Sequence, residues 1–138
     1  MKNMQNVKFA AAVVPQSLNA ATGTSTAVDT LGYSYATCVV HLGSLTLAAT
    51  ACKWQSCDTS GGVYVDIPGA AFTTLPTALD DFGFFAVYVN LQGLGKFLKV
   101  VFTAGAAATL VTAFVILSEA NETPNTATER GLVQQLFA

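Results

Sequence analysis

The stretch FFAVYVNLQGLGKFLKVVFT, residues 84–103, decides the fold class of this chain. Two runs of β-branched and aromatic residues flank Gly93 and Gly95, and such residues favour extended strands. Because successive side chains of a strand point to opposite faces, both faces of each run are apolar. The pattern predicts two strands joined as a hairpin, with one face in a core and the other against a neighbouring molecule.

Similar runs, bounded by Gly, Pro, Asp and Ser, recur along the chain, and no window of eleven or more residues before position 125 has helical periodicity. Eight short strands suit an all-β, jelly-roll-like β-sandwich, because two packed antiparallel sheets leave few unprotected edges. The predicted strands are 7–14, 24–31, 33–43, 50–57, 62–67, 82–92, 96–104 and 108–118.

A second hairpin is predicted between residues 53–58 and 63–69, where Gly61 and Gly62 supply the turn. Trp54 and Tyr64 would then lie opposite each other. The 138 residues are expected to form one domain. It has an N-terminal strand or arm at 1–20, a sandwich body at 21–118 and a C-terminal docking arm at 119–138.

The composition limits the classes of function. Hydrophobic residues make up 52% of the chain and charged residues only 10%, against about 25% in an average soluble domain. The surface is therefore expected to be covered in part by protein partners. A net charge of -2 and scattered Lys and Arg argue against nucleic-acid binding. The uncharged run 100–117 predicts two buried strands rather than a membrane helix, because β-branched and aromatic residues flank a central AGAAA.

The residues that could carry chemistry do not form a recognisable site. His41 has no neighbouring carboxylate or nucleophile motif, so no catalytic residue is predicted. Cys38, His41, Cys52 and Cys57 are residue types that bind zinc, but on strands each close pair would point to opposite faces. No metal or cofactor is therefore predicted, and the cysteines are expected to be reduced thiols of a cytoplasmic protein. Asp80 and Asp81 predict a turn rather than a calcium loop.

Both ends of the chain carry apolar residues that are predicted to contact a partner. Thr126 and Glu129 have the spacing of a capping box, which predicts a short helix, although Gly131 weakens it. An apolar terminus is costly unless it docks on something. The predicted partner-contact residues are Phe9, Val13, Leu132, Val133, Leu136 and Phe137.

Four segments together resemble small virion proteins of tailed bacteriophages. They are ATGTSTAVDTLGYSYATCVVHLGSL at 21–45, KWQSCDTSGGVYVDIPG at 53–69, KFLKVVFTAG at 96–105 and SEANETPNTATERGLVQQLFA at 118–138. The resemblance covers roughly residues 20–138, although Cys52 and Cys57 depart from the family pattern.

The resemblance implies a jelly-roll or related β-sandwich that decorates and cements the phage capsid by bridging neighbouring subunits of the major capsid protein. It further implies a protein made in the host cytoplasm and located on the capsid surface, and we expect it to self-associate as a homotrimer. It implies neither a nucleic-acid partner nor a membrane.

Two other classes of function remain open from the sequence. A tail or baseplate subunit could use the same sandwich to bind carbohydrate through an aromatic cleft. The aromatic residues available for such a cleft are Tyr33, Tyr35, Trp54, Tyr64 and Tyr88. A small hydrolase or metal enzyme built around His41 is the third class.

Overall fold

A computed structural model describes residues 6–136 of the chain. It contains eight β-strands and, between the fifth and the sixth, a 3-10 turn at Ala78–Asp80. The strands are β1 (Lys8–Leu18), β2 (Val28–Asp29), β3 (Tyr33–Leu42), β4 (Ala51–Cys57), β5 (Val65–Ala71), β6 (Phe84–Asn90), β7 (Phe97–Thr103) and β8 (Thr109–Ala120). Each predicted strand overlaps an observed one, so the all-β prediction is confirmed.

The strands form two antiparallel sheets that pack as a sandwich. The first sheet has the order β1-β8-β3-β6, and the second has the order β2-β7-β4-β5. The chain can be described as one long hairpin in which β1 to β4 form one arm and β5 to β8 form the other. Its turn lies between β4 and β5, and its paired strands are β1–β8, β2–β7, β3–β6 and β4–β5. Rolling that hairpin up adds the β3–β8 and β4–β7 pairs, which complete the sheets.

The core lies between the sheets and is filled by the inward side chains of both. Trp54 and Phe102 are its largest members, with exposed fractions of 0% and 1%. The thiols of Cys38 and Cys52 pack among the aliphatic residues around them. Period-2 alternation is clearest in β7 and β8, where buried and half-buried residues alternate over most of each strand.

The predicted hairpin between residues 84–92 and 96–104 is wrong. β6 pairs with β3 in the first sheet, whereas β7 pairs with β2 and β4 in the second. Leu91 donates a backbone hydrogen bond to Ser34, and Lys96 accepts one from Thr30, so the connection crosses from one sheet to the other. Alternation predicts each strand but contains no information about its partner when both faces are apolar.

The predicted hairpin between β4 and β5 is confirmed, with Gln55 opposite Asp66 and Ser56 opposite Val65. Trp54 and Tyr64 do not pair across it, because Trp54 points into the core and Tyr64 lies at the surface beneath Lys99. The turn predicted at Asp80 is also confirmed. Asp80 accepts hydrogen bonds from the backbone amide and the hydroxyl of Thr77, at 2.7 and 3.0 Å.

Candidate interaction surface

The outer side of the first sheet is an apolar surface that crosses all four strands. Inward residues of the central strands, such as Val40 and Val115, are 0% exposed, so the alternate residues face outward. Three rows of directly opposite residues make this outer apolar face. The rows are Phe9-Ile116-Thr37-Tyr88, Ala11-Phe114-Val39-Ala86 and Thr112-His41-Phe84, and Leu110 extends the face along β8.

The side chains of the outer apolar face carry no formal charge when His41 is neutral. Phe84 and Tyr88 on the edge strand are 66% and 80% exposed, while the central residues Phe114 and Ile116 are half-buried by their neighbours. A solvated sheet face usually alternates polar residues with the inward apolar ones. A broad uncharged face of this kind is typical of a surface that meets another protein.

The outer side of the second sheet differs in its charge. Lys53 forms an ion pair of 2.8 Å with Asp66, and the amide of Gln55 donates a second hydrogen bond of 2.6 Å to the same carboxylate. The hydrogen bond from Lys53, followed by that from Gln55, lowers the pKa of Asp66 below its usual value. Lys99 lies 4.7 Å from the ring centre of Tyr64. This side therefore has the polar character of a surface in water.

His41 belongs to the outer apolar face. Its ring stacks on that of Phe84, with centroids 4.1 Å apart and an interplanar angle of 4°. It lies between Phe84 and Thr112 in the sheet register, and both neighbours are uncharged. The imidazole therefore packs against an aromatic ring in this face.

The three cysteines are free thiols in different environments. Cys38 is 0% and Cys52 2% exposed, and burial raises the pKa of each thiol to about 12. Cys57 is half-buried on β4, and its sulfur lies 3.9 Å from the hydroxyl of Thr59. Within residues 6–136, no group of three or more His, Cys, Asp and Glu side chains is arranged to hold a metal ion. Nor does that part of the chain contain a helix with the length and apolar character that a membrane crossing requires.

The C-terminal segment folds as one capped turn and not as the predicted helix. The hydroxyl of Thr126 accepts from the amide of Glu129, and the Glu129 carboxylate accepts from the amide of Thr126, which confirms the capping box. At the other end, Leu132 donates to Ala127 and Gly131 to Thr128, which is a Schellman motif. Gly131 has a φ of +71°, a left-handed conformation that ends the segment after one helical turn.

The C-terminal turn docks on β1 of its own chain. The amide of Phe9 donates a 2.7 Å hydrogen bond to the carbonyl of Arg130, so the turn covers the start of the free edge of β1. The Arg130 side chain is 7% exposed and donates to the Asn125 carbonyl and to Gln135. Its guanidinium therefore holds the two sides of the segment together.

The six residues predicted to contact a partner occupy different environments. Phe9 lies on the outer apolar face, beside the docked turn. Val13 is 1% exposed and belongs to the core, because a break in the β1–β8 register turns it inward. Leu132 is half-buried, whereas Val133 and Leu136 are fully or largely exposed, at 104% and 85%. Phe137 lies outside the described residues.

Sequence reasoning missed the extent of the outer apolar face. It pointed to the two ends of the chain, whereas the face also includes Phe114 and Ile116 in the middle of the sheet, which are half-buried. The available signal was the apolar character of both alternating sets in β3 and β8. The sequence pattern alone does not say which set faces the core.

Comparison with protein-family models, with curated proteins and with solved structures finds no match to this chain.

Proposed function

We propose that this chain is a structural subunit that works by packing its outer apolar face against other protein subunits. The observation that carries the proposal is the difference between the two sheets: one outer side is charged and hydrogen-bonded, and the other is uncharged over three rows of residues. In a molecule with so few charged residues, the uncharged side is the surface that gains most from burial.

The resemblance to tailed-phage virion proteins narrows the proposal to one assembly. On this reading the protein decorates and cements the capsid by bridging neighbouring major capsid protein subunits on its outer surface, after synthesis in the host cytoplasm. The strand orders β1-β8-β3-β6 and β2-β7-β4-β5 support it, because a long hairpin rolled into two sheets is the arrangement of a jelly roll. Many weak copies on a symmetric shell would act together. No reaction is part of this function.

The exposed residues after Gly131 provide a second surface that a partner subunit can contact. Val133 and Leu136 project from the docked turn beside Phe9, next to the outer apolar face. Each contributes about 1.5–3 kcal/mol if a partner buries it fully. Leu132 and Gln135 are bonded within the turn, so the exposed side chains of Val133 and Leu136 are the ones available to a neighbour.

Cryo-electron microscopy of virions tests the proposed face with a matched pair of variants. Ala11→Glu places a carboxylate on the outer apolar face, and Ala71→Glu places the same group on the second sheet, where Ala71 lies opposite Lys53. Both alanines are exposed, so neither change disturbs the core. Burying an unpaired carboxylate costs several kcal/mol, and we expect at least about tenfold fewer capsid copies for Ala11→Glu. Ala71→Glu should bind like the unmodified protein.

Equal occupancy of the two variants would contradict the assignment of the face. The double variant Val133→Ser with Leu136→Ser tests the C-terminal residues in the same way, since it removes two exposed apolar side chains and keeps the bonds that Leu132 and Gln135 make to the turn. Density confined to the tail would contradict the capsid location.

A tail or baseplate subunit that binds carbohydrate is the second candidate, and one cleft favours it. The cleft has a volume of ≈ 270 Å³ at one end of the sandwich. It is lined by Tyr33, Tyr35, Asn90, Gln92 and Glu119, and such aromatic, amide and carboxylate groups bind the faces and hydroxyls of sugars. Glycan binding by the purified protein that Tyr35→Ala abolishes would support this candidate.

A further inference from the structure

The free edge of β6 differs from the other three sheet edges of the molecule. β1 is bonded at Phe9 by the C-terminal turn and at Ala12 by Thr26, β2 has only two residues, and β5 contains Pro68 and a break in its register. These are the usual devices that keep an edge from pairing with another chain. β6 has seven residues, FFAVYVN, with no charge, no proline and an unbroken register against β3.

The hydrogen-bonding groups at this edge can be assigned from the register. Leu91 donates to Ser34 and Leu42 donates to Gly83, so the odd-numbered residues of β6 direct their backbone groups toward β3. The amides and carbonyls of Phe84, Ala86 and Tyr88 therefore point to the free edge. Within the described residues, these amides and carbonyls have no backbone hydrogen-bond partner. A cleft of ≈ 260 Å³ separates Tyr88, at one end of this edge, from Pro68 of β5.

We propose that β6 pairs antiparallel with β6 of a second copy of this chain, about a twofold axis at Ala86. In this register Ala86 lies opposite Ala86 of the second copy, and Phe84 lies opposite Tyr88 twice. The free backbone groups of Phe84, Ala86 and Tyr88 in the two copies then form about six hydrogen bonds. The pairing joins the two first sheets into one eight-stranded sheet.

Three observations favour a second copy over a different partner. A twofold contact brings identical residues together, and β6 carries no charge that would repel its own image. The small side chain at the axis permits close approach, and the flanking Phe and Tyr form aromatic pairs. The middle row of the outer apolar face ends at Ala86, so the pairing continues that face into the second copy.

The test is sedimentation equilibrium of the purified chain from about 1 µM to about 1 mM, with substitutions at the axis. We expect a dimer of twice the 14.3 kDa chain mass. Ala86→Lys and Ala86→Glu each place like charges opposite one another and should raise the dissociation constant at least about tenfold. An equimolar mixture of the two variants should restore the dimer, because Lys then lies opposite Glu.

Ala11→Lys is the matched control, since Ala11 is an exposed alanine on the same face but at the opposite edge. It should leave the dimer unchanged. Ala86→Cys provides a second readout: Cα atoms of a hydrogen-bonded antiparallel pair lie about 5.5 Å apart, a spacing at which a disulfide forms on mild oxidation. Fluorescence of the buried Trp54 reports that each variant is folded.

A monomer at all concentrations would overturn the proposal and leave the edge for a strand of another protein. The homotrimer expected from the sequence would overturn it as well, because a single twofold strand pairing closes at two copies. So would a dimer that Ala86→Lys does not weaken. The inference uses the isolated chain and is independent of the proposed capsid role.

Discussion

At the scale of single residues, burial determines what the thiols can do. Cys38 and Cys52 have almost no exposed surface, and their pKa values of about 12 keep them protonated at neutral pH. Since the thiolate is the nucleophile and the metal ligand, both residues act here as small hydrophobic side chains. Two of the four residues considered as zinc ligands are therefore part of the core.

These two thiols should make the protein less stable in alkaline solution. An unfolded thiol loses its proton near its usual pKa of about 8.5, while the native thiol keeps it until about pH 12. The unfolded state then binds fewer protons, so the free energy of unfolding falls by about 1.4 kcal/mol per pH unit for each thiol above about pH 9. Urea denaturation between pH 8 and about 10.5 measures this slope.

The control is the double variant Cys38→Ala with Cys52→Ala. Its stability is lower at every pH because it leaves cavities, but its slope above about pH 9 should be shallower. Identical slopes for the two proteins would show that other groups cause the alkaline loss.

At the scale of elements, the C-terminal turn shows how local signals build a docked structure. A capping box begins it, a Schellman motif ends it, and one backbone hydrogen bond joins it to β1. Backbone hydrogen bonds to Asn125 and Thr126 lower the pKa of Glu129, so the cap is strongest when that carboxylate is ionised. The turn therefore protects the start of the free edge of β1.

Gly131→Ala should detach this turn. A side chain there would adopt an unfavourable positive φ and would overlap the carbonyl of Phe9. We expect a loss of about 1–3 kcal/mol in docking, and faster hydrogen exchange of the Phe9 amide, which donates to Arg130.

Gly93→Ala is the matched control, since Gly93 has a φ of +77° and open space around it. This variant introduces the same backbone strain without a clash, so it should not change the hydrogen-exchange rate of the Phe9 amide. Equal exchange at Phe9 in both variants would contradict the docking role of Gly131.

At the scale of the whole molecule, nearly every sheet contact joins distant parts of the chain. β1 pairs with β8, so Phe9 lies opposite Ile116, and only the β4–β5 pair is local in sequence. The loop-closure entropy of the distant pairs must be overcome before their contacts form. The sandwich is therefore expected to form as one cooperative unit around Trp54 and Phe102.

This topology predicts slow folding. Refolding from denaturant should take milliseconds to seconds, roughly the range of all-β sandwiches. Stopped-flow fluorescence of Trp54, the one tryptophan in the sequence and fully buried, follows the formation of the core. Refolding in microseconds would contradict a transition state that depends on the β1–β8 pairing.

The sequence by itself determined where the strands lie. Alternation with a period of two and boundary residues such as Gly, Pro and Asp act over a few positions, so all eight strands, the β4–β5 hairpin and the turn at Asp80 could be predicted. The capping box at Thr126 was local in the same way, and Gly131 shortened the helix expected after it to one turn.

Only the tertiary structure decided which strands are neighbours and which face is covered. β6 and β7 have apolar residues on both sides, so their pattern fits a shared hairpin as well as two separate sheets. Val13 and Phe9 have similar hydrophobic character, yet a register break in β1 sends one into the core and leaves the other at the surface. Local preference acts on each strand alone, whereas burial is a property of the packed pair of sheets.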